Sequence, residues 1–269
     1  MSGRGGQVAH VPIGQDEAAP MPATQDIRPR PTPRRLRMAS GVVMLTYISW
    51  HMGNHVLGLF SLPLAEAGLR WSILLWQSRV GTALLYGAFA IHLALALRTV
   101  HLRRNWRLPM MEWLRLWAGF SLPLLLIGHV VGTRVATSFY GFQPSYRSVV
   151  EGIVQAAAQD WQLALLAPGW LHGCLGLWIS LRRRPEVRKM RGVLTAVMIG
   201  IPVLSAAGFV RMVLLIDTDP LRTIAHPAPP PAYAGALDAW QDRLQYGYLA
   251  LVAAAVLTGL GRRALLPAR

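Results

Sequence analysis

The stretch Tyr47-Ile-Ser-Trp-His-Met-Gly-Asn-His-Val-Leu-Gly58 constrains this chain more than any other. It lies inside an apolar run, 39–62, that exceeds the ~20 residues needed to cross a bilayer, yet it carries His51, His55 and Asn54. Imidazole in hydrocarbon is costly without a partner, so an ionisable residue inside a span marks a functional site. His51 and His55 stand four residues apart, on nearly one helix face. Three later apolar runs each carry one histidine: His92, His129 and His172.

The pattern of runs predicts an all-α polytopic membrane protein with six transmembrane helices, roughly 39–62, 79–97, 113–133, 161–181, 193–216 and 246–260. The composition agrees: 53% of residues are hydrophobic and only 14% charged, against about a quarter charged in soluble domains. A net charge of +15 suggests nucleic acid in a soluble protein, but here the arginines cluster between apolar runs. Basic segments (the N-terminal arm, 98–107, 182–191 and Arg262-Arg263) alternate with mixed-charge loops (62–78, 134–160 and 217–245). That alternation predicts an inner-membrane protein in contact with lipid, with both termini cytoplasmic and no nucleic-acid partner.

Residues 1–38 read as a disordered cytoplasmic arm rich in Gly, Pro, Ala and Arg, 39–261 as the membrane domain and 262–269 as a C-terminal stub. Segment 69–77 reads as an interfacial turn, 149–158 as an amphipathic piece, 226–231 as extended and 236–244 as a short helix. A single cysteine, Cys174, excludes an internal disulfide and an all-cysteine iron–sulfur or zinc site. Neither a Gly-rich phosphate loop nor an HExxH motif occurs.

Sequence position converts to depth at 1.5 Å per residue. With the flanking cytoplasmic arginine as zero, His51 and His129 each stand fourteen residues in, about 21 Å up. His55 lies about 27 Å up, His92 about 9 Å and His172 about 15 Å. The first and third spans therefore supply an outer pair, and the second and fourth an inner pair, about 9 Å apart in mean depth if His51 is used and about 12 Å with His55. Two imidazoles at matched depth on different helices are what bis-histidine haem iron requires, so a four-helix bundle holding two b haems is expected. Either His51 or His55 serves as the first-span ligand; the other is a hydrogen-bonding neighbour or a quinone contact. Gly53, Gly58, Gly81, Gly87, Gly128, Gly132, Gly173 and Gly176 flank the histidines and permit close packing. Arg134, five residues after His129, is a candidate to meet a haem propionate at the outer surface, with a solvated interfacial arginine as the alternative. Tyr47, Tyr86 and Tyr140 are packing residues with a quinone hydrogen bond as the alternative, and His10, His101 and His226 read as solvated.

Three segments, His51-Met-Gly-Asn-His-Val-Leu-Gly58, His129-Val-Val-Gly-Thr-Arg134 and Trp170-Leu-His-Gly-Cys-Leu-Gly176, resemble the six-span cytochrome b-type anchor of bacterial class III adenylate cyclases. That anchor is similar to the dihaem cytochrome b subunits of succinate dehydrogenase and fumarate reductase. The resemblance implies two haems held in alternating histidine pairs, exchange of electrons with a membrane quinone, and a cytoplasmic cyclase or ferredoxin-like partner, with a homodimer compatible. It departs from the family at Arg269, which follows the last span too closely for a cyclase fold, so no catalytic activity is expected of this chain. Two other readings remain: an anchor subunit for respiratory flavin and iron–sulfur subunits, and a haem-free receptor or transporter whose histidines line a proton or metal path.

Overall fold

A computed structural model describes Gly3 and residues 32–219 and 233–265; the predicted arm up to residue 31 and the segment 226–231 lie outside the described residues. Among the described residues all regular structure is helical. The helices are α1 (Pro33–Leu57), α2 (Leu62–Trp76), α3 (Arg79–Leu102), α4 (Met110–Val130), α5 (Ala136–Tyr140), α6 (Tyr146–Gln155), α7 (Gln159–Leu181), α8 (Pro185–Lys189), α9 (Arg191–Asp217) and α10 (Ala234–Leu265). A π-turn, Val131–Val135, joins α4 to α5, so that 110–140 is one continuous rod.

Among the described residues, five helical rods are long and apolar enough to cross a membrane: α3, the α4–α5 rod, α7, α9 and α10. The first of the six predicted spans is a helix of 25 residues but falls outside that group. Arg34, Arg35 and Arg37 at its start and Ser40, Tyr47, Ser49, His51, Asn54 and His55 along its length lower its hydropathy. Its position accounts for this: α1 packs against α2, α3, α7 and α9, so its polar side chains meet other helices.

Several boundaries move from their sequence-based places. α1 starts at Pro33, inside the predicted arm, because Thr32 accepts a hydrogen bond from the Arg35 amide and proline suits the first helical turn. The interfacial turn at 69–77 is the second half of α2, capped by Ser61. The short helix at 236–244 and the sixth span merge into the 32-residue α10. The amphipathic piece is α6, opened by a Ser145–Ser148 capping box.

Small residues set the closest approaches. A Cβ on Gly208 of α9 would strike the His55 carbonyl oxygen on α1, so bare backbone is required there. Ser205 of α9 then donates to the Met52 carbonyl within α1, and Arg211 donates to the Gly58 and Leu59 carbonyls just beyond its end.

Candidate functional site

Four helices bring four imidazoles together two by two. His51 of α1 lies with His129 of α4 at 5.7 Å between ring centroids, and His92 of α3 with His172 of α7 at 6.0 Å. The ring planes are inclined at 71° and 81°. Two imidazole–metal bonds of about 2 Å each, with ring nitrogens roughly 1 Å from their centroids, place coaxial rings about 6 Å apart. The centroid separations of both pairs are of that length. Among the described residues no three His, Cys, Asp or Glu side chains converge as a metal-binding group.

The two levels are separated by a length that two helices give independently. The His92 ring packs against Gly41 of α1, ten residues before His51, and the His172 ring against Gly119 of α4, ten residues before His129. Ten residues correspond to about 15 Å, more than the 9–12 Å expected from sequence. The reference arginines of the outer pair cause the discrepancy: α1 starts at Pro33 and α4 at Met110, so Arg37 and Arg115 sit about one turn inside their helices and counting from them understates the depth of His51 and His129.

Hydrogen bonds orient the inner pair. The His172 Nδ1–H donates to the Arg115 carbonyl at 2.9 Å, since a carbonyl only accepts. The Ser40 hydroxyl lies 3.1 Å from the Arg37 carbonyl and 3.2 Å from the His92 Nδ1. Both rings thus engage Nδ1, and neither Nε2 has a hydrogen-bond partner among the described residues.

The outer level is built differently. His51 stacks on Tyr47 at 6.0 Å with 13° between planes, and Tyr47 meets Trp76 edge-on. His55 lies 4.9 Å from His51 but turns to Phe209 and to Tyr146, whose hydroxyl is 2.8 Å from its Nδ1. Of the two α1 histidines, His51 is therefore the one set against His129. Tyr146 opens α6, and Glu66 of α2 accepts from the Tyr146 and Arg147 amides at 2.8 and 2.9 Å, a carboxylate on a helix N-terminus. Burial, and then the Glu66 charge, push the Tyr146 hydroxyl above its ordinary value. Arg147 pairs with Asp219 at 2.8 Å and with buried Glu151 at 3.4 Å; the Asp219 hydrogen bond is the main cause that raises its guanidinium above the usual value.

Arg134, in the π-turn just beyond His129, donates to Thr82 of α3 at 2.9 Å and lies over Tyr86. Tyr140 accepts from Trp240. His101 is not a solvated loop residue: it ends α3 and bonds Thr258 of α10 at 3.0 Å. His10 and His226 lie outside the described residues. Of the glycines, Gly58, Gly68, Gly81 and Gly173 are crowded by neighbours, while Gly53, Gly87, Gly132 and Gly176 face open space.

Tyr146 and Ser40 were absent from the sequence-based site. Ser145-Tyr-Arg-Ser148 before an amphipathic run signals a capped helix, which was the available clue to Tyr146; nothing in sequence points Ser40 at His92. Comparison with protein-family models, with curated proteins and with solved structures finds no match to this chain.

Proposed function

We propose that this protein is a dihaem b-type membrane redox protein, in which α1 counts as the sixth span and α1, α3, α4 and α7 form the haem-binding bundle. Its work is one-electron exchange with a membrane quinone and transmission of the redox state to a cytoplasmic effector of the cyclase type. The observation that carries this reading is the presence of two imidazole pairs at iron-bridging separation, stacked along one bundle. Haem supplies the one-electron couple when bound; the chain supplies ligands, dielectric and orientation.

His51 and His129 are assigned to the outer iron, and His92 and His172 to the inner. The Ser40 hydroxyl and the Arg115 carbonyl orient the inner imidazoles. Arg134, five residues after His129, would leave Thr82 for a propionate. At the outer level His55 is left over as a base, and its bond to Tyr146 holds it beside the pair to accept a proton when a quinol is oxidised. Helix α9, clamped to the end of α1 through Gly208, Ser205 and Arg211, is the element through which a change at His55 would pass toward the effector.

A reduced-minus-oxidised spectrum of the purified chain, with a haem-to-protein ratio, tests the proposal. About two b haems per chain are expected. A colourless, folded preparation would refute the reading and favour a histidine-lined transporter or receptor.

A further inference from the structure

The chain has a second kind of feature beside the inner histidine pair. Arg37 and Arg115, on α1 and α4, both stand fourteen residues before the outer-pair histidine of their own helix. Each backbone carbonyl supports the inner pair, Arg37 through Ser40 to His92 and Arg115 directly to His172. Both guanidinium groups bury an Nε that has no hydrogen-bond partner among the described residues. Arg37 spends Nη2 on Thr99 and Leu95 of α3, which fixes its fork without satisfying Nε. No carboxylate of a described residue lies within 4 Å of either group, and Arg115, Arg103 and Arg98 surround Arg37 as like charges.

Buried orphan donors on two clustered cations are an unfinished arrangement, because such a donor keeps its full desolvation cost until an acceptor arrives. An anion with oxygen acceptors completes it. Arginine forks match carboxylates in geometry, and the site adjoins two imidazoles whose Nε2 atoms have no hydrogen-bond partner among the described residues. We infer that Arg37 and Arg115 form a carboxylate clamp that holds the propionates of the macrocycle bound between His92 and His172. This rests on the haem reading above and adds to it a second anchoring point for the inner group alone. A phospholipid phosphate is the competing oxyanion at this basic end of the bundle.

The experiment uses the full chain in detergent. It compares wild type with the R37Q/R115Q and R37K/R115K double variants, each also in an H92A background, which leaves the outer site, and in an H129A background, which leaves the inner. Haem content, redox titration and retained phospholipid phosphorus are measured, with helical content as the folding control. Removing two positive charges disfavours the reduced, more electron-rich state. R37Q/R115Q should therefore lower the potential of one of the two components or lose that haem, with lysine restoring part of the effect. In the H129A background the remaining haem should be shifted or lost, and in the H92A background it should be unaffected.

Wild-type titration of both components in R37Q/R115Q would overturn the clamp while leaving the haem reading intact. So would a shift that persists in the H92A background, or a loss of phospholipid phosphorus with both haems unchanged. Wild-type protein without haem would overturn both, and is distinguishable because it needs no variant.

Discussion

The inner and outer histidine pairs have similar spacing but different surroundings. At the inner pair each Nδ1 is committed, to the Arg115 carbonyl and to the Ser40 hydroxyl, and each ring rests on a glycine of the neighbouring helix. Such a site is preorganised and cannot exchange its ring protons without breaking a hydrogen bond. The outer pair has a third imidazole, a stacked tyrosine and a phenol at its edge, all beneath a capped amphipathic helix. Under the proposed function, this difference would give the two levels different work: the inner one would hold an electron, and the outer one would couple an electron to a proton.

The largest test of this contrast removes ligands. His92→Ala or His172→Ala should each take the preparation from about two haems per chain to one, and His129→Ala or His51→Ala should do the same at the other level. His55→Ala should keep both haems and change only the pH dependence of one potential. Loss of a haem in His55→Ala would exchange the roles of the two α1 histidines. Next in size is Gly119→Val. Even a Cβ there would lie 2.5 Å from the His172 Cε1, so the ring must move off its carbonyl partner. Inner haem should be lost or loosened by tenfold or more, on the order of 1.4 kcal/mol, with the outer haem unchanged; equal loss at both levels would mean that the bundle, and not one ring, had been disturbed.

How far this site could be read from sequence follows from which residues lie on regular helices. The pairing of His51 with His129 followed from counting, because both helices run uninterrupted between the arginine and the histidine. The spacing between levels did not, because Arg37 and Arg115 lie about one turn inside α1 and α4, so the outer pair stands further from the helix ends than the count implied. His55 and His51 were indistinguishable by helix face; what separates them is Tyr146, reaching in from a segment nearly a hundred residues away that sequence placed in a loop. α1 read as an ordinary span from its length, whereas its polar side chains are accommodated by helices on several sides. Ser40 carried no signal, since a serine in a helix usually bonds its own backbone, and here it does so while also lying within hydrogen-bond distance of His92.

A smaller effect probes the outer level. Tyr146→Phe removes the bond to His55 and should cost about 0.5–1.5 kcal/mol in thermal or denaturant unfolding. It should also change the alkaline limb. The unfolded chain ionises this phenol near its ordinary value of 10.0, whereas burial and Glu66 keep it neutral in the fold. The stability contributed by the neutral hydroxyl is therefore complete below that pH and is lost as pH rises through the higher folded value. Unfolding measured against pH should fall less steeply above pH 10 in the phenylalanine variant; an unchanged alkaline slope would show that Tyr146 is reached by solvent, and the outer level would lose its claim to a sheltered proton donor.

The smallest expected change is at Gly53, two residues beyond His51. A Cβ there meets nothing within 4 Å, and the residue sits in the interior of α1. Alanine should raise helix stability by up to about 1 kcal/mol and leave both haems in place. The opposite result is the more instructive one. If Gly53→Ala stabilised the haem-free chain but weakened the outer haem alone, the open space beside Gly53 would belong to the macrocycle. The outer group would then lie on that flank of His51, away from the Tyr146 side, and its protons would have to travel by a route other than His55.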